Sequence, residues 1–240
     1  MRKLCATVLA TVGALLLLGS WPQIGFAYPF GGEIAGKDAR TGDVIGGGSS
    51  MKRGATQTPE QRAQASYKSG RKARDKALEA EKKLAASPEA GFWHDRYARA
   101  VKKSWAEAMA SYRAAIASKP DFFEAYSDLG YAYRKIGDYD RSLAAYGRAL
   151  EINPEYPNAL EYLGEAYLKL GRLDDLKSTY MKLFSHDREL AAVLMKAANE
   201  WLDTQPGSLS AEELDAFRQW VAERKQLAEQ VGETAQARAW

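Results

Sequence analysis

Few side chains in this 240-residue sequence are placed to make or break bonds. Its two histidines, His94 and His186, are remote from each other, and neither has a second histidine at metal-ligand spacing. The single cysteine, Cys5, stands at the very start of an apolar run, whereas a lipidated cysteine would follow one. Neither a disulfide framework nor an all-protein zinc set can be built from these. Gly31, Gly36 and Lys37 reproduce the spacing of a phosphate-binding loop, but Asp38 stands where serine or threonine would hold magnesium, and its charge would repel phosphate. That match reads as chance in a glycine-rich stretch. No serine sits in a G-x-S-x-G turn, and no pattern pairs two carboxylates across a cleft. The sequence therefore predicts no catalytic residue, no metal and no cofactor. What recurs is the chemistry of contact: Tyr112, Tyr146 and Tyr180 follow one another at intervals of 34.

The elements that carry those tyrosines are read from composition and periodicity. With 46% hydrophobic and 27% charged residues the chain has the makeup of an ordered protein. A formal net charge of +3 is too small an excess to favour a nucleic-acid partner. Residues 1–27 have the order of a secretory signal peptide: Arg2 and Lys3, an apolar run from Leu4 to Leu18, then Gly25 and Ala27 as small residues before a cut after Ala27. An uncleaved anchor is the alternative, but the run is short for a span of about 20 residues. Removal would leave a chain with no cysteine, near neutrality, with no transmembrane segment, in the periplasm or outside the cell. Residues 28–58 are glycine-dense and aperiodic, a flexible linker. Residues 59–88 are rich in helix formers and net positive, with Thr58 and Pro59 suited to the start. They read as a separate, solvated and partly frayed basic helix. The alternative is an arm, residues 59–86, that touches an anionic surface.

The interval of 34 extends well beyond the tyrosines. Pro120 and Pro154 share it, as do Gly130 and Gly164, Tyr133 and Tyr167, and Gly137 and Gly171. A fixed period of this size predicts stacked helix-turn-helix units, an all-α solenoid. Tyr126, Leu129, Gly130, Tyr133, Gly137, Ser142, Tyr146, Ala149, Leu150 and Pro154 together resemble the tetratricopeptide repeat. The resemblance covers residues 89–190 as about three helical pairs, the best of them 123–156. It is weakest in the first helix of the first pair, where Asp95 and Arg96 replace leucine and glycine, and late in the last, where Leu176, Leu183 and Arg188 depart from the pattern. Gly130 and Gly164 are expected where a partner helix approaches closely, with Ala108 and Ser142 as small residues against them. Tyr112, Tyr133, Tyr146, Tyr167 and Tyr180 are expected as packing residues. Residues 191–240 carry two amphipathic stripes, through Leu194, Trp201 and Leu202 and through Leu214, Phe217 and Val221, read as helices capping the open end. The alternative gives Trp201, Phe217 and Trp220 to a dimer contact.

The resemblance implies function through a surface. In that family the first helices of successive units line a groove that takes peptides or protein segments. Counted in helical turns from Gly130, the groove residues here are Ser127, Tyr131, Arg134 and Lys135, then Asn158, Glu161, Glu165 and Lys169 in the next unit. Both charge signs are present, and Tyr131 adds an aromatic platform of a kind enriched at binding hot spots. The paired lysine and asparagine with which some members clamp a terminal carboxylate are absent, since Ser127 and Tyr131 occupy two of those places. The expected function is a non-enzymatic scaffold that binds a partner protein or peptide in the cell envelope. A self-associating or surface-attached envelope protein is the alternative, and an envelope enzyme a weaker one.

Overall fold

The computed structural model describes residues 57–204 and 209–237, so the signal-peptide reading and nearly all of the linker reading lie outside the described residues. Every regular element described is a helix: α1 (Pro59–Ala85), α2 (Phe92–Ser118), α3 (Phe123–Lys135), α4 (Tyr139–Ile152), α5 (Pro157–Lys169), α6 (Leu173–His186), α7 (Arg188–Thr204) and α8 (Ala211–Ala237). They pack as successive pairs, and α2, α4 and α6 each lean on the first helix of the pair that follows. This is the expected all-α solenoid of helical hairpins.

Two identical turns set the repeat. After α3, Gly137 takes φ +81°, and after α5, Gly171 takes φ +67°, a left-handed conformation that glycine adopts without a Cβ penalty. In each turn the glycine N–H and the next N–H bond back to carbonyls of the last helical turn. Gly137 donates to Arg134 at 3.0 Å and Asp138 to Tyr133 at 3.0 Å; Gly171 donates to Leu168 at 3.1 Å and Arg172 to Tyr167 at 2.9 Å. Orphan carbonyls are thereby satisfied and the chain reverses at once into the second helix.

Inside a pair the controlling contact is a tyrosine ring lying over a glycine. A Cβ built on Gly130 would stand 2.6 Å from the Tyr146 ring, and one built on Gly70 would stand 2.5 Å from the Tyr112 ring. Ser142 adds a hydrogen bond of 2.9 Å from its hydroxyl to the Gly130 carbonyl, as its small size suggested. Tyr112, Tyr146 and Tyr180 are buried with Tyr133, while Tyr167 is half-buried beneath Arg172.

The Gly70 contact changes the reading of the amino-terminal region. Residues 59–85 are the first helix of the first pair, not a separate solvated helix, and they bury Ala63, Gly70, Ala73, Ala77 and Ala80 against α2. Asp95 and Arg96 start α2 and are no counterpart of Leu129 and Gly130. The sequence interval hid this because Gly70 and Tyr112 are 42 residues apart where Gly130 and Tyr146 are 16 apart, an insertion of 26. The insertion lengthens both arms of one hairpin, so α1 runs 15 residues past its glycine where α3 runs 5. At 1.5 Å per residue the first hairpin reaches roughly 15 Å further than the next. Gly164 also departs from expectation. A Cβ there would meet Leu194 of α7 at 2.5 Å, so its close neighbour is the next pair, not its own second helix.

At the carboxyl end, α7 and α8 cover the apolar side of α6. Trp201 and Phe217 are buried edge to face at 5.8 Å, and Trp220 stacks on Phe217 at 5.8 Å while meeting Tyr180 at 5.3 Å. These rings are used up in internal packing, which favours the capping reading over the dimer contact.

Gly130→Ala and Gly70→Ala should each lower stability by about 1–3 kcal/mol, because a buried aromatic ring must move. Gly147→Ala, mid-helix in α4 with nothing within 4 Å of the added carbon, should raise it by about 0.5–1 kcal/mol. Urea unfolding midpoints at fixed m value check both signs.

Candidate partner-binding groove

The first helix of each pair contributes one edge to a common face, and three ion pairs sew these edges together. Arg74 of α1 reaches Asp128 of α3 at 3.7 Å. Glu81 of α1 accepts from Lys135 of α3 at 2.7 Å and from the indole Nε1–H of Trp105 at 2.8 Å. Arg134 of α3 pairs with Glu165 of α5. All three lie in partly desolvated surroundings, where removing one partner costs more than at an open surface.

Aromatic rings fill the space between the pairs. Trp105, Tyr131 and Tyr162 form a row, with centroids 5.9 Å apart for the first two and 5.0 Å for the second two. The Arg134 guanidinium lies over Tyr131 at 5.1 Å and over Tyr162 at 5.8 Å. Its charge is therefore held by two π faces as well as by Glu165.

The eight residues expected on the groove divide into groups. Ser127 is 1% exposed and Glu161 4% exposed, so neither faces an open groove. Both lie inside the packed body of the repeats instead, Glu161 against Glu165 and Arg134. Tyr131, Arg134, Lys135 and Glu165 are on the face but already engaged with one another or with α1. Asn158 is exposed and donates to the Tyr156 hydroxyl at 3.1 Å. Lys169 is exposed with no fixed partner among the described contacts.

Arg134, Glu165 and Lys169 come together with Leu168, Glu200, Trp201 and Thr204 around a cavity of about 280 Å³ between α3, α5 and α7. Sequence reasoning missed the α7 members because that helix read as a cap. Glu200 and Thr204 sit one turn apart beside the predicted Trp201 stripe, and that spacing was the available signal. It also missed Arg74, which follows Gly70 by four residues as Arg134 follows Gly130.

Burial governs the electrostatics of the face. Desolvation pushes the Glu161 carboxyl up to about 8, with Glu165 adding to the rise and Arg134 opposing it. Burial likewise raises Asp128 above the usual carboxylate range, against the pull of Arg74. The partly buried Arg134 guanidinium thus pairs with Glu165, while the neighbouring Glu161 keeps its proton near neutrality. The chemical capacity of the arrangement is recognition: a polar pocket with a cation, an acid and an indole beside it. Among the described residues no group of three or more His, Cys, Asp or Glu side chains could hold a metal ion, and no helix is long and apolar enough to cross a membrane.

Residues 98–137 and 130–171 each match the family model of the TPR repeat. No curated protein matches the chain in sequence. Among solved structures, the first TPR of Spaghetti (RPAP3), bound to the HSP90 peptide SRMEEVD, is 16% identical, with TM-score 0.44, covering 59% of this chain and 96% of that one. The Arabidopsis OM64 TPR domain is 15% identical, with TM-score 0.40, covering 56% and 98%. MamA is 19% identical, with TM-score 0.35, covering 54% and 81%.

The folded chain binds the Glu161 proton more tightly than the unfolded chain does, so this group's contribution is greatest at low pH and is lost as pH rises from about 4.5 towards about 8. Glu161→Gln should remove that loss. Its stability relative to the parent should rise by at least about 1 kcal/mol between pH 5 and pH 9, as read from urea midpoints at the two pH values.

Proposed function

We propose that this chain, which carries tetratricopeptide repeats across residues 98–171, is a protein-interaction scaffold that holds an extended segment of a partner protein along the face of α1, α3, α5 and α7. The observation that carries this reading is the pocket between α3, α5 and α7. It offers an unpaired ammonium at Lys169, the exposed Glu200 carboxylate, held only by Lys196 one turn away at 3.9 Å, and Trp201 in the wall beside a floor fixed by Arg134 and Glu165. A pre-fixed floor lowers the ordering cost of binding, and the two exposed charges choose the partner's side chains. The engaged residues Tyr131, Lys135 and Asn158 shape the rest of the groove, whereas Ser127 and Glu161 support it from beneath.

The reading is non-enzymatic, because the groove brings together groups suited to contact and leaves His94 and His186 on separate helices. It also places the scaffold in the cell envelope, on the strength of the basic, apolar and small residues in succession at 2–27. The partner is then an envelope protein.

Affinity capture from native envelope extracts tests the groove. The double charge reversal Lys169→Glu with Glu200→Lys should reduce recovery of the partner at least about tenfold while leaving the thermal midpoint within about 2 °C. Undiminished recovery contradicts the groove assignment. Sequencing the amino terminus of the exported protein tests the location, with Tyr28 expected first and an intact Met1 contradicting it.

A further inference from the structure

The lengthened first hairpin ends in a surface that repeat packing does not explain. Phe92 is 66% and Trp93 56% exposed, the two largest exposures among the large apolar side chains described. They are ordered against each other, edge to face at 5.2 Å, and Trp93 stacks towards Tyr97 at 6.1 Å. Cations surround this tip. Between residues 76 and 103 there are seven lysines and arginines against four acids. All seven cations are exposed, while Glu81 is drawn inward by Trp105 and Lys135, and Glu79 is paired with Lys83 at 2.6 Å. Lys76, Lys83, Arg96 and Tyr97 line a shallow cleft of about 220 Å³ between the two arms. Arg96 also lies over the Trp93 ring at 5.7 Å, which joins the cleft to the aromatic tip.

We propose that the tip of the α1–α2 hairpin docks on an anionic lipid bilayer, with Phe92 and Trp93 entering the headgroup boundary and Lys76, Lys83 and Arg96 meeting lipid phosphates. The chemistry of each part fits that occupant. An indole prefers the boundary between water and acyl chains, where its ring is apolar and its N–H stays wet. Each lysine or arginine near an anionic surface adds an attraction that falls off within a Debye length. A basic helix without apolar backing is a weak membrane ligand, and the fold supplies that backing by turning the chain back at residues 86–91, so that α2 starts at Phe92 and Trp93 and its Arg96, over the Trp93 ring, shares a cleft with Lys76 and Lys83 of α1. The surface is separate from the groove face, so the proposal stands or falls independently of the scaffold reading.

A local probe on the full chain keeps the apolar amino-terminal run from dominating the readout. In a Cys5→Ser background, Ala90→Cys at the tip carries an environment-sensitive dye, and Asp174→Cys on α6, fully exposed, carries it in a control. Vesicles are phosphatidylcholine alone, or phosphatidylcholine with phosphatidylglycerol, each containing nitroxide-labelled lipid. The dye at 90 should be quenched on the anionic vesicles only, with the dye at 174 unchanged. Lys83→Glu with Arg96→Glu, or Phe92→Ser with Trp93→Ser, should weaken that quenching about tenfold, and 0.5 M salt should do the same. Circular dichroism melts keep loss of docking apart from loss of fold. Equal quenching at both positions, quenching indifferent to lipid charge, or quenching untouched by the tip variants overturns the proposal. So does a tip that stays unquenched yet is needed to retain a co-purifying protein, which would make it a protein contact.

Discussion

Each of the first two helical pairs depends on a tyrosine ring resting where a side chain would otherwise project from a glycine. With the ring of Tyr112 over Gly70 and that of Tyr146 over Gly130, the two helices approach closely enough to bury their alanine and leucine stripes, and the second helix ends up at a fixed angle to the first. Mid-helix glycine costs about 1 kcal/mol against alanine. The burial of a whole tyrosine offsets that cost. Everything above this level follows from the angle, including which residues of α1, α3 and α5 can reach across to one another.

Their reach produces the inner face. Arg74 with Asp128, Glu81 with Lys135 and Arg134 with Glu165 are contacts between pairs, not within them. They consume charges that look free when each helix is considered alone. Scaffold function then falls to what the sewing leaves over, chiefly Lys169 and Glu200 beside Trp201. The same economy operates at the carboxyl end, where Trp201, Phe217 and Trp220 fill the terminal layer instead of facing outward.

The helical pairs from Phe123 to His186 were legible in the sequence because Gly130, Gly137, Tyr146 and Pro154 belong to series at a strict interval and each has a local mechanism. The first pair was only half legible. Its second helix kept Trp105, Ala108, Tyr112 and Pro120 in phase, but the insertion of 26 residues moved Gly70 out of register, and its neighbours are lysines and alanines instead of leucines. A long basic helix with an alanine face gives almost no periodic signal, although alanine is what permits the close packing seen here. Of the groove, Tyr131, Arg134, Glu165 and Lys169 could be placed on the face by counting turns. The burial of Ser127 and Glu161 could not, because it depends on how closely successive pairs pack, which no single pair encodes. The tip at Phe92 and Trp93 was invisible for a related reason: its aromatics and its lysines belong to different helices.

The central claim is that α1 is a full member of the repeat array, held by Gly70 beneath Tyr112. Native-state hydrogen exchange of the α1 amides around Gly70 measures this directly. If the account is right, those amides exchange only through the unfolding that also releases α3, with comparable protection. Exchange of α1 within seconds while α3 and α4 remain protected would mean a frayed helix lying outside the array, and the account would fail.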